Sequence, residues 1–138
     1  MFISETKIRV RYAETDRMGF VYYGNYATYY EVGRVEALRK LGLSYKDMED
    51  KGVMLPVLEF TIKYFKPAFY DDELIIKTTI EELPTARIIF KNEVFKDGKL
   101  LNIGKVTLVF VNTASHRPTQ APEYFLEKIR PYFEENSL

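Results

Sequence analysis

Arg11-Tyr-Ala-Glu-Thr-Asp16-Arg-Met-Gly19-Phe-Val-Tyr-Tyr23-Gly24-Asn25-Tyr26 is the stretch on which the fold turns, because three kinds of local structure meet in it. Leading into it, Thr6, Ile8, Val10 and Tyr12 alternate with Lys7, Arg9 and Arg11, so residues 5–13 are predicted to form a half-buried strand. Glu14 to about Tyr22 then reads as a loop, with Gly19 as its pivot. From about Tyr23 to Leu41 the spacing becomes helical. Tyr26, Tyr30, Gly33, Ala37 and Leu41 fall on one stripe, which Ala27, Val35 and Leu38 widen. Asp16 sits in the loop, seven residues ahead of Tyr23 at the helix start. A helix N-terminus carries unpaired N–H donors and a partial positive charge, so it can hold a developing oxyanion. An acid beside such donors suits attack on a carbonyl.

Working outward, Gly33 would weaken a helix interior by about 1 kcal/mol relative to Ala. Its place on the apolar stripe beside Ala37 implies a helix axis lying close to a sheet. Gly42 is placed to end the helix. Ser44 with Asp47 makes a capping-box-like start for a short second helix to about Lys51, closed by Gly52. Strands follow from Met54 to Tyr64, Leu74 to Glu82, Arg87 to Lys96 and Leu101 to Asn112. The last of these, with its Val106-Thr-Leu-Val-Phe-Val111 run, reads as a central strand. Lys96-Asp97-Gly98-Lys99 is a two-residue hairpin signal of type I′. After Pro118 and Pro122, residues Tyr124, Phe125, Ile129 and Phe133 space a final amphipathic helix.

One strand, one long helix and then four strands in hairpin sequence predict an α+β fold: an antiparallel sheet of about five strands with a single long helix against one face. Apolar residues on the uncovered face would need a partner, which predicts a homodimer or a larger assembly. At 138 residues, 1–138 is expected to be a single domain with a real core. Twenty basic and twenty acidic side chains cancel, which argues against a nucleic-acid partner. Cysteine is absent, so disulfides, a thiolate nucleophile and cysteine-ligated zinc are excluded. No apolar run reaches the roughly 18 residues of a membrane span, and the first residues do not resemble a signal peptide, so a cytoplasmic location is expected.

The segment from Tyr12 through Asp16, Gly19, Val21, Tyr23 and Asn25 to Tyr26 resembles the signature of the hotdog-fold acyl-CoA thioesterases. The likeness is to the 4-hydroxybenzoyl-CoA thioesterase group and to the acyl-CoA thioesterases of bacterial Tol–Pal operons. It extends to Tyr29-Tyr-Glu31-Val-Gly-Arg34, to Phe65-Lys-Pro67 and to the exit from Arg117-Pro118 to Pro122. The resemblance implies a hotdog fold, with the sheet wrapped around one long central helix, and dimers that often pair into tetramers. It implies an acyl-CoA substrate, coenzyme A being part of that substrate, with no separate cofactor and no metal.

Carried over by position, Asp16 is the catalytic carboxylate and the backbone N–H of Tyr23 is the donor to the thioester carbonyl. The adjoining Gly24, Asn25 and Tyr26 contact substrate, and Arg117 aligns with a nucleotide-contacting arginine. Many Tol–Pal-type members carry His where this chain has Tyr23, so a histidine base is not available here. The basic cluster of the benzoyl-type enzymes reads here as Pro84-Thr85-Ala86, with only Arg87 nearby.

Each candidate also has a plainer role. Loop aspartates cap helices and tighten turns, and Asp16 as catalyst could be a nucleophile or a general base. Glu31 could face the acyl pocket, pair with Arg34 on the helix surface, or pair with a Lys across the dimer. Lys63, Arg87 and Arg117 could bind the phosphates of coenzyme A or be ordinary strand-end charges. His116, the only histidine, lies a hundred residues from Asp16, so a Ser–His–Asp triad is not expected. Besides thioester hydrolysis, two functions stay open: a hotdog dehydratase or hydratase acting on acyl thioesters, and a non-catalytic acyl-CoA binding module.

Overall fold

The computed structural model describes residues 1–134, so the last four positions of the expected domain lie outside the described residues. In chain order the elements are β1 (Phe2–Arg9), a 3₁₀ turn at Tyr12–Glu14, α1 (Asn25–Lys40), α2 (Tyr45–Asp50), β2 (Val53–Met54), β3 (Val57–Tyr64) and β4 (Glu73–Ile80). They continue with β5 (Arg87–Lys96), β6 (Lys99–Val109), β7 (Val111–Asn112), β8 (Arg117–Pro118), α3 (Glu123–Ile129) and a 3₁₀ turn at Arg130–Tyr132. Five strands form one antiparallel sheet in the order β1-β4-β5-β6-β3, and β2, β7 and β8 form a small second sheet. Among the described residues no helix is long and apolar enough to cross a membrane.

Helix α1 lies across the inner face of the sheet, over β1, β4 and β5. Gly33 is what lets it approach. A Cβ there would sit 2.5 Å from Thr78 Oγ1 and 2.9 Å from Ile76 Cγ2, closer than any side chain tolerates. One turn earlier, Tyr30 reaches over Gly104 to donate its hydroxyl to Asn102 Oδ1 at 2.6 Å, and its ring packs on Phe60. Ala37 and Leu38 join Ile76, Ile88, Phe90 and Val106 in the core. Each large side chain so buried contributes roughly 1.5–3 kcal/mol, so packing rather than helix propensity holds α1 in place.

Several expected boundaries move, for identifiable reasons. The first strand begins at Phe2 and ends at Arg9, earlier than expected at both ends. Arg11 leaves the sheet because its N–H donates to Glu14 Oε1 at 2.8 Å, and Tyr12 is therefore 75% exposed rather than inward-facing. The four later strands are not all in hairpin sequence. β3 pairs with β6 and β4 with β1, leaving only β4–β5 and β5–β6 as hairpins. β6 is accordingly one strand in from the edge, and β5 is the middle strand. The β5–β6 turn has the expected type I′ form, with positive φ at both Asp97 (48°) and Gly98 (76°). Ser44 Oγ accepts from Asp47 N at 3.1 Å, capping α2. The final helix stops at Ile129 because Pro131 cannot donate a helical hydrogen bond.

The outer face of the sheet also departs from expectation. It is largely charged: Glu5, Lys77 and Glu93 form a cross-strand row, and Lys91 stands opposite Lys105. Exposed apolar side chains stand singly on it at Ile3 and Ile89, and gather along the edge strand β3 at Val57, Leu58, Phe60 and Tyr64.

Candidate active site

Thr15 to Val21 folds into a tight hairpin. Thr15 and Val21 pair, Asp16 N donates to Phe20 O at 2.8 Å, and Gly19 takes a φ of 81° at the turn. Only a residue without a Cβ adopts that conformation readily. The hairpin rests on the segment after β3, where Val21 N donates to Ala68 O at 2.8 Å and Phe20 pairs with Phe69. Asp16 Oδ1 accepts from Met18 N at 2.9 Å and from Phe20 N at 3.3 Å. Its other oxygen has no hydrogen-bond partner among the described residues, and the side chain is exposed. One oxygen therefore fixes the turn, which is the plainer role considered for this aspartate, while the second stays free for chemistry.

At the start of α1, Asn25 N donates to Tyr22 O, Tyr26 N to Tyr23 O and Ala27 N to Gly24 O. The N–H groups of Tyr23 and Gly24 have no acceptor among the described residues. Asp16 and Tyr23 line the same cleft of about 440 Å³, whose walls include Phe20, Val21, Tyr26 and Tyr64. Tyr64 Oη donates to Tyr23 O at 3.1 Å and holds this first turn against β3. Burial pushes the Tyr26 hydroxyl up to about 12, so it is a neutral wall of the cleft at ordinary pH.

Glu14 has no role in the reading of the sequence, and Tyr29 enters it only as part of the helix motif. Glu14 is 9% exposed. Its Oε1 accepts from Arg11 N at 2.8 Å and Tyr29 Oη at 2.9 Å, and its Oε2 from the Arg11 guanidinium at 3.0 Å. Its carbonyl oxygen accepts from Tyr22 N at 2.9 Å and Asn25 Nδ2 at 2.8 Å. Burial alone would raise the Glu14 carboxyl. The Arg11 backbone N–H, the Arg11 side chain and the Tyr29 hydroxyl outweigh it and hold the carboxyl below its ordinary range. The available signal was spacing: Glu14 stands three residues after Arg11, and Tyr29 one helical turn after Tyr26.

The remaining candidates do not converge on this cleft within one chain. The Asn25 side chain is turned to the loop carbonyl of Glu14. Gly24 is exposed beside the Tyr22 ring. Glu31 is exposed and lines a different cleft with Arg34 and Tyr45. The Glu31–Arg34 pair considered for the helix surface is not formed among the described residues, where buried Arg34 donates to Tyr45 Oη at 3.4 Å. Lys63 lies on the outer face near Lys91 and Lys105. Arg87 pairs with Val109 and Lys63 with Ile103, rows about 20 Å apart along β6 at the usual strand rise. Arg117 lies on the small sheet, opposite Asn112 of β7, which follows β6 directly beyond the end where Arg87 pairs with Val109.

Comparison with known proteins agrees with this architecture. A family model for the thioesterase-like superfamily matches residues 10–129. YneP of Bacillus subtilis, a candidate acyl-CoA thioesterase, is 36% identical over 126 residues, covering 91% of each chain. The acyl-CoA thioester hydrolase YbgC of Escherichia coli is 30% identical over 124 residues, covering 89% of this chain and 92% of that one. The structure of a DHNA-CoA thioesterase from Staphylococcus aureus superposes with a TM-score of 0.88 at 38% identity, covering 96% of this chain and 90% of that one. Sheet, helix and these matches together define a hotdog-fold enzyme that hydrolyses thioesters. The chain belongs to the thioesterase-like superfamily.

Proposed function

We propose that this chain hydrolyses acyl-coenzyme A thioesters to the free acid and coenzyme A, with Asp16 as nucleophile or general base and the Tyr23 N–H as oxyanion donor. The observation that carries the proposal is the shared cleft: Asp16, whose carboxylate keeps one oxygen free, and Tyr23, whose amide has no acceptor among the described residues, both line one largely apolar space. The thioester carbonyl oxygen accepts from Tyr23 N–H, with Gly24 N–H beside it. Negative charge then develops where donors and the helix dipole already point. Asp16 either adds to the carbonyl carbon, giving an anhydride that water cleaves, or removes a proton from the water that adds. In both routes the carbon–sulfur bond breaks and coenzyme A leaves as thiolate. Tyr26 and the neighbouring aromatics form an apolar lining for the acyl group.

A cytoplasmic homodimer, or a tetramer built from dimers, completes the proposal. The uncovered apolar edge β3 is the surface for a second copy. Antiparallel pairing of two β3 edges would bring the Arg87 and Arg117 end of one copy toward the Asp16 end of the other. Phosphates of coenzyme A would meet arginines there that no single chain supplies.

Thiol release from short, long and aromatic acyl-CoAs, with the wild type and Asp16→Asn, tests the assignment. Thiol release that Asp16→Asn lowers by about a hundredfold or more is the expected result. Native turnover in the variant would remove Asp16 from the chemistry. Hydration without thiol release, or binding with no reaction, would replace the hydrolase by a hydratase or a binding module. In single turnovers in isotopically labelled water, label in the Asp16 carboxylate identifies the anhydride route, with water adding at the Asp16 carbonyl carbon.

A further inference from the structure

Two groups on different elements must keep one geometry for this chemistry, and a third residue joins them. Glu14 stands at the entrance to the Asp16 hairpin. Its carbonyl oxygen receives Tyr22 N–H from the hairpin's exit and the Asn25 side chain from the first turn of α1. Its carboxylate receives Tyr29 Oη from the next turn of α1, along with the backbone and side chain of Arg11 at the end of the incoming chain. One buried residue thus clamps both ends of the loop and two successive turns of the helix. Tyr22 N–H is taken up by this clamp, which leaves Tyr23 and Gly24 as the first amides without an acceptor.

Part of what the arrangement gives is stability, since the bonds from Arg11 and Tyr29 outweigh the cost of burial and hold the carboxyl low. Arg11 keeps 77% of its side chain exposed, and an ion pair so open to solvent is worth little. Burying the Glu14 carboxylate carries a desolvation cost at the same time. The bonds to Glu14 also tie the loop to the first two turns of the helix.

We propose that Glu14 is a positioning residue for the reaction, holding the free oxygen of Asp16 and the Tyr23 amide at a working separation through its bonds to Arg11, Tyr22, Asn25 and Tyr29. This inference rests on the assignment of the Asp16 cleft as the reaction site. It goes beyond that assignment by naming what sets the geometry.

The test uses the full chain and the best-hydrolysed acyl-CoA. The variants are Glu14→Gln, Tyr29→Phe, Asp16→Asn and the Glu14→Gln, Asp16→Asn double variant. Glu14→Gln keeps size and shape but turns an amide N–H₂ toward donors. It is expected to lower kcat by about tenfold to a hundredfold with KM within about twofold. Tyr29→Phe removes one bond of the clamp and is expected to lower kcat severalfold, again with KM unchanged. On the Asp16→Asn background, adding Glu14→Gln should change the residual rate by less than about twofold, because there is no working carboxylate left to place.

Near-native kcat in Glu14→Gln would overturn the proposal, as would an equal loss on both backgrounds, which marks a purely structural role. If Glu14→Gln does not fold, Tyr29→Phe carries the test, and near-native kcat there overturns the proposal. Native turnover in Asp16→Asn would instead show that Asp16 is not the reacting group, leaving Glu14 with nothing to position.

Discussion

The loop–helix junction and the edge strand β3 both border the Asp16 cleft, yet they are finished in opposite ways. At the junction almost every polar group is used within the chain: Glu14 accepts on its carboxylate and its carbonyl, and Asp16 is fixed through one oxygen. Along β3 the inner residues Phe60 and Tyr64 touch Tyr30 and Tyr26, but Val57 and Leu58 remain bare, and every residue of the strand except Ile62 is exposed. One wall of the site is locally self-sufficient, and the other leaves apolar surface uncovered. Changes at the junction should therefore act within one chain at any concentration, and changes at the edge should act through assembly.

The sharpest way to break this contrast is Asp16→Asn. It should cost about a hundredfold or more in kcat, with a melting curve close to the wild type's, because Oδ1 can still accept from Met18 and Phe20. Gly33→Val comes next. It should destabilise the fold by about 1–3 kcal/mol in urea titrations, since α1 cannot back away from Thr78 and Ile76 without moving the junction. Loss of activity there should follow unfolding and be independent of protein concentration. Leu58→Lys tests the other wall. It should raise the dissociation constant of the assembly about tenfold in sedimentation and make turnover fall on dilution, with the circular dichroism of the fold retained. A concentration-independent mass in the wild type would defeat the idea that β3 is completed by a second copy.

The smallest effect is in the pH dependence of stability. Because the folded Glu14 carboxyl is held below its ordinary value, its contribution is fully present above the unfolded value near 4.5 and is lost as pH falls through the depressed folded one. Melting temperatures taken down through that range should fall less steeply for Glu14→Gln than for the wild type. Parallel slopes would mean that the clamp carries no net linkage.

Much of this was legible in the sequence wherever a signal was periodic or a turn demanded a special residue. Gly33 on the apolar stripe announced the close helix–sheet approach, and Asp97-Gly98 announced its own turn type. Tyr12 was misplaced because alternation continued through Arg11, whereas the backbone had already turned to satisfy Glu14. The strand order was misjudged at β3 for a similar reason. Nothing in Lys66-Pro67 says whether β3 pairs with the next strand or the chain crosses the sheet to place β4 beside β1. Asp16 and Tyr23 stood out from a short motif, but Glu14 and Tyr29, fifteen residues apart, did not look like partners.

The amino-acid sequence by itself determined the α+β class, the long helix, the carboxylate in its loop and the amides that follow, because each depends on neighbours within a few positions. Only the tertiary structure decided which strand lies at the edge, that Arg87 and Lys63 pair about 20 Å apart along β6, and that Glu14 binds the loop to the helix. Those outcomes depend on hydrogen bonds and packing between segments distant in the chain, whose geometry no local pattern encodes.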